Sequence, residues 1–107
     1  MAIRKIRVIK RADGEFGVFP PVQTAGADGA GFDKIKLVNK SGEPLLWSLP
    51  SAAVSGNVAV NKVLDHNQDH TVTLDNGADA VIEYQVYMIN SQKKAKGNSD
   101  PVLIIEV

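Results

Sequence analysis

The sequence predicts an all-β fold: a single-domain antiparallel β-sandwich of about seven strands covering residues 1–107. Three observations carry that expectation. The length of 107 residues, 44% of them apolar and 22% charged, is one globular domain's worth and no more. Apolar residues recur with a period of two, and no stretch of eleven or more shows a helical period of 3.6. Turn-forming residues separate the alternating runs at intervals of roughly ten.

Taken in order, a short strand over Phe16–Phe19 stops at Pro20-Pro21, because neither proline can donate to a ladder. Residues 23–31 contain no large side chain and read as a mobile loop that carries the chain from one sheet to the other. Over residues 32–40, Ile35 and Leu37 alternate with Lys34 and Lys36. Val58 and Val60 with Leu64, then Val72 and Leu74, continue the pattern. Ala80, Ile82, Tyr84, Val86 and Met88 follow, set against Glu83, Gln85 and Tyr87. Turn chemistry falls at 41–44, 55–57, 75–77 and 96–101. Only 52–55 and 91–96 leave room for a helical turn.

The expected core is Ile35, Leu37, Val58, Val60, Val72, Leu74, Ile82, Tyr84, Val86 and Ile104. The last strand, 102–107, is apolar on both faces apart from Glu106, and a two-layer fold absorbs only one of them. With Ile104 inside, Leu103 and Ile105 form an outer row that the neighbouring segment 18–22 would cover within the chain, or else a partner or a second copy.

Twelve basic residues balance twelve acidic ones, so net charge gives no general pull towards an anionic partner. The distribution is uneven. Arg4, Lys5, Arg7, Lys10 and Arg11 fill the first eleven positions without an acid, and five acids occupy 65–83 without a Lys or Arg. The simplest reading pairs the basic strand with the acidic hairpin across a sheet. The functional reading offers Arg4 and Arg7 to phosphates or to the acidic face of another copy. Nucleic acid is not expected, because the arm holds no aromatic platform before Phe16.

No cysteine occurs, which excludes disulfides, thiolate metal sites and thiol nucleophiles. The basic N-terminus is not followed by a secretory apolar run, and no window approaches a membrane span, so a cytoplasmic protein without a membrane partner is expected. Residues 65–70 hold the densest group of ligand-type side chains: Asp65, His66, Asn67, Asp69 and His70. Asp65, Asn67 and Asp69 have the alternate spacing of a calcium loop, but His70 and Asn76 stand where Gly and Glu belong. His66 and His70 would share a metal only on a helical turn. A solvated hairpin loop between Leu64 and Thr71 is the plainer reading.

The glycine-rich run 26–31 precedes a strand-like segment, not the helix a phosphate loop needs, and no nucleophile elbow exists. No enzyme and no cofactor are expected. Trp47, the only tryptophan, reads either as a core plug between leucines or as a stacking platform for a sugar or a partner. Tyr84, on the face of Ile82 and Val86, is the inner tyrosine, placed seven residues after Gly77 to bond back as a tyrosine corner.

Val72-Thr73-Leu74, Gly77, Tyr84-Gln85-Val86 and the closing run 97–105 resemble the C-terminal half of cupredoxin-like and immunoglobulin-like Greek-key sandwiches. Glu43-Pro44 and Asp100-Pro101 also resemble the small bacterial proteins grouped as DP-EP. The resemblance implies a β-sandwich without an assigned activity. Blue-copper function does not transfer, since no Cys stands near Tyr84 and the two histidines do not match that ligand pattern. The sequence therefore points to a non-catalytic binding or assembly module, its partner a second copy of itself or another protein. Metal or small-ligand binding at residues 65–70 and carbohydrate binding at Trp47 are the alternatives.

Overall fold

The computed structural model describes residues 3–25, 34–56, 58–74, 79–95 and 100–105. Strands form where the period-two runs stand. β1 (Ile3–Lys10) buries Ile6 and Val8 and turns Lys5 and Arg7 outward. A turn through Gly14, at φ 84°, returns the chain as β2 (Phe16–Phe19). β3 (Val22–Ala25) follows the two prolines, and β4 (Lys34–Lys40) buries Ile35, Leu37 and Asn39. β5 (Leu45–Leu49) buries Leu45, Trp47 and Leu49, and a 3-10 turn (Ser51–Ala53) leads towards β6 (Val60–Leu64). β7 (Asp69–Thr73), β8 (Ala80–Glu83), β9 (Gln85–Met88), β10 (Lys93–Lys94) and β11 (Val102–Ile105) complete the order.

One layer is the sheet β2-β1-β4-β7. The second holds β10-β9-β5-β6 and β3-β11-β8. These last two sheets continue one another, because β8 and β9 are successive parts of one run broken at Tyr84. The Tyr84 N–H donates to Pro101 O at 3.1 Å and the Ala95 N–H to Val86 O at 2.8 Å, so β11 and β10 lie along the same side of that run. Most ladders are antiparallel, while β1–β4 and β3–β11 are parallel. The chain changes layer between β3 and β4, as expected, but residues 23–25, expected to be loop, are strand β3 paired with β11; residues 26–33 lie outside the described residues.

The core between the layers includes Ile6, Val8, Phe16, Ile35, Leu37, Trp47, Leu64, Val72, Leu74, Ile82, Tyr84, Val86, Leu103 and Ile105. Two expectations are corrected. Val58 is 67% exposed, because it precedes β6 and belongs to no ladder. The faces of β11 are reversed: Leu103, opposite Ile82, and Ile105, opposite Ala80, are inside, and Val102 and Ile104 are half-buried on the outer face. Parity in a strand flips all its side chains together, so a slip of one residue accounts for the whole error. The residues expected to form an outer partner row are core.

The segment 65–68 is not a hairpin loop. β6 pairs with β5 and β7 with β4, so this turn crosses from one layer to the other. Its neighbour across the end of the sandwich is the β4–β5 turn, and Asn39 holds the two together. Its amide donates to Glu43 O at 2.8 Å and Leu64 O at 2.9 Å, and its Oδ1 accepts from the Ser41 N–H at 3.0 Å and hydroxyl at 2.6 Å. No described helix is long and apolar enough to cross a membrane.

Candidate anion-binding face

The outward face of the β2-β1-β4-β7 sheet is built from the residues that alternate with the core. From β1 come Ile3, Lys5, Arg7 and Ile9, from β4 Lys34, Lys36, Val38 and Lys40, from β2 Gly17 and Phe19, and from β7 Asp69, Thr71 and Thr73. In the parallel ladder Lys5 stands opposite Lys36, and Ile3 opposite Lys34. In the hairpin Arg7 stands opposite Phe19. Side chains opposite one another on a face have β-carbons about 4.5 to 5.5 Å apart, so the cations form one patch.

Little in the described molecule neutralises it. Lys36 Nζ lies 3.8 Å from an Asp69 carboxylate oxygen, and Lys40 Nζ donates to the neutral Asn67 Oδ1 at 2.8 Å. Lys5, Arg7 and Lys34 have no ion pair among the described residues. The expectation that the basic strand lies beside the acidic hairpin is thereby corrected: β1 lies between β2 and the lysine-bearing β4, and within the sheet β7 pairs with β4, not with β1. Val38, at the centre of the face, is only 8% exposed, and the long stems of Arg7, Lys36 and Lys40 are placed to cover it.

Phe19 is the exposed aromatic of this face, at 40%. A β-carbon added at Gly17 would meet the Phe19 ring at 2.8 Å and the Arg11 stem at 3.4 Å. The ring therefore leans over the glycine backbone, an arrangement that covers an edge glycine with an aromatic. Phe19 is thus flanked by Arg7 across the ladder and Arg11 across Gly17.

The other candidate residues do not assemble. Arg4 shares the inner face with Ile6 and is half-buried, on the opposite side of β1 from Arg7. Trp47 is 1% exposed, with its ring edge-on to His70 at 6.3 Å between centroids, so it offers no platform to a sugar or partner. His70 faces inward beside Leu37 at the edge of β7. His66 lies in the turn, its Nδ1 accepting the Gly42 N–H at 3.0 Å. Asp65 and Asn67 are exposed in that turn, and no three His, Cys, Asp or Glu groups among the described residues are placed to hold a metal ion. The Tyr84 hydroxyl is buried without a hydrogen-bond partner among the described residues; Gly77, its expected corner, lies outside them. Burial pushes its phenol pKa up.

What reading the sequence missed is the adjacency of β1 and β4. The signal in each strand, cations alternating with aliphatics, was visible; their parallel pairing across two intervening strands was not. The Arg7–Phe19 pair was within reach, since both residues lie at equal offsets from the turn at Asp13.

Solved structures share this architecture. An oxidised point mutant of amicyanin matches with a TM-score of 0.57 and 15% identity, over 97% of this chain and 82% of that one. A second point mutant of amicyanin, in its Cu(I) form, matches with a TM-score of 0.53 and 13% identity over the same shares. The fold is cupredoxin-like. No protein-family model matches the sequence, and no curated relative does. At such identity the likeness is one of fold alone. A mononuclear blue-copper centre takes two histidines and a cysteine thiolate. This chain has no cysteine; His66 Nδ1 accepts the Gly42 N–H, and His70 packs edge-on to Trp47. Its residues do not fit that group.

Proposed function

We propose that this cupredoxin-like chain is a non-catalytic binding module that holds an anionic partner on the outer face of its β2-β1-β4-β7 sheet. One observation carries the reading: Lys5, Arg7, Lys34 and Lys36 are gathered on adjacent strands, and the described residues provide a single carboxylate, that of Asp69, to one of them. Like charges directly opposite one another weaken a sheet. An anion laid across the face removes that cost and gains charge-assisted contacts. In this reading the Asp69 pair at the edge orients Lys36, and the Phe19 edge supplies an apolar margin. Glu43, of the Glu-Pro motif, accepts from the Ser91 N–H and hydroxyl, which assigns that motif to tying turns together and not to ligand contact.

The test is titration calorimetry with a heparin oligosaccharide as a generic polyanion. Binding that weakens with salt and is lost on Lys5→Glu with Lys34→Glu, but survives Lys94→Glu on the other layer, is expected. Equal binding by both variants, or none by the wild type, contradicts the reading.

A further inference from the structure

Resting on that reading, we infer that the anion is the backbone of a single-stranded nucleic acid and that Phe19 stacks on one of its bases. The face presents two chemistries side by side. Cations at Lys5, Arg7, Lys34 and Lys36 suit a chain of phosphates, and an acidic peptide would serve them equally well. Phe19 distinguishes the two. It is 40% exposed, seated over Gly17 and bordered by Arg7 and the Arg11 stem. An exposed aromatic ring on a basic face is the surface on which bases stack, whatever their sequence, while phosphates track the neighbouring charges. The Arg11 guanidinium itself is held by Asp13 at 3.3 Å, which leaves the phosphates to Lys5, Arg7, Lys34 and Lys36. The ground on which the sequence argued against nucleic acid, the lack of an aromatic within the basic arm, does not hold in the folded sheet: the hairpin brings Phe19 opposite Arg7.

Shape selects the single strand. Four strands at about 4.8 Å spacing make a surface about 14 Å across, and the cations from Lys34 to Lys40 extend about 20 Å along it. The duplex major groove, about 12 Å wide, admits a helix or a two-stranded ribbon, not a four-stranded sheet lying flat. Splayed bases of a single strand reach a sheet surface directly.

The experiment is fluorescence anisotropy with a labelled oligothymidylate of about 12 nucleotides, a duplex of equal length and the heparin oligosaccharide as competitors. The oligothymidylate is expected to bind with a slope of log K against log salt of about −2 to −3, as three or four phosphate contacts give, and Lys34→Gln to lower that slope by about 0.7. Phe19→Ala is expected to weaken the oligothymidylate roughly ten-fold, one base–aromatic stack, and to bind heparin as before, which shows that it folds; Phe19→Trp is expected to restore oligothymidylate binding. Heparin binding without oligothymidylate binding overturns this inference and leaves the anionic face standing. Binding of neither overturns both. Equal affinity for the duplex, or a Phe19→Ala variant that binds the oligothymidylate as wild type does, overturns the stacked single strand.

Discussion

Lys5 and Lys36 stand directly opposite each other in the parallel β1–β4 ladder, two like charges with one carboxylate, Asp69, beside the second. A sheet selected for stability alone would place opposite charges there. Lys5→Glu is therefore expected to stabilise the chain by about 0.2 to 1 kcal/mol, raising the melting midpoint by about 1 to 6 °C. The same variant loses affinity for polyanions. A thermal melt read alongside binding checks both; a lower midpoint contradicts the account.

Asn39 closes the end of the sandwich from inside. Replacing it with Ala takes the amide from Leu64 O and Glu43 O and the Oδ1 acceptor from the Ser41 N–H, while Glu43 O keeps the Ser41 hydroxyl at 3.0 Å. Each buried polar group left unpaired costs about 1 to 3 kcal/mol. A loss of about 2 to 4 kcal/mol is expected in urea denaturation. Ser41→Ala, which removes a hydroxyl from the same network and leaves the Asn39 amide in place, is expected to cost less.

The fold class and most strand faces were legible because burial on one side of a strand writes a period of two into the sequence, as in Ile35 and Leu37 or Ile82, Tyr84 and Val86. β11 was not, since Val102, Leu103, Ile104 and Ile105 are all apolar and alternation is absent. The sheet that a strand joins was also out of reach. β6 and β7 flank a four-residue turn and read as a hairpin, yet they belong to different layers. For the same reason the basic face was not legible: it arises where β1 meets β4, and of its five cations only Lys5 and Arg7 lie in the N-terminal arm.

The faces of β11 give a direct check on the core. Leu103→Ala removes a fully buried side chain and is expected to cost about 2 to 5 kcal/mol through lost burial and the cavity left behind. Ile104→Thr, on the outer face, is expected to cost well under half of that. Denaturation midpoints in the reverse order would return Ile104 to the core.

Tyr84 links burial to pH. Its phenol is held protonated above the usual range because the phenolate is not solvated in the core. The unfolded chain ionises at about pH 10 and the folded chain only at higher pH. Stability is therefore fully present below about pH 10 and is lost as pH rises from there towards the folded value. Tyr84→Phe is expected to remove that alkaline loss, and at neutral pH to be neutral or stabilising, since no bond of the hydroxyl to a described residue is given up. Denaturation of both proteins between pH 7 and about 11 measures it.

Amide-resolved NMR during titration with a heparin oligosaccharide locates the anionic partner most directly. Shifts at Lys5, Arg7, Phe19, Lys34 and Lys36, suppressed by added salt, are the result this account requires. Shifts centred on Leu46, Val63 and Tyr87, on the outer face of the other layer, would contradict it.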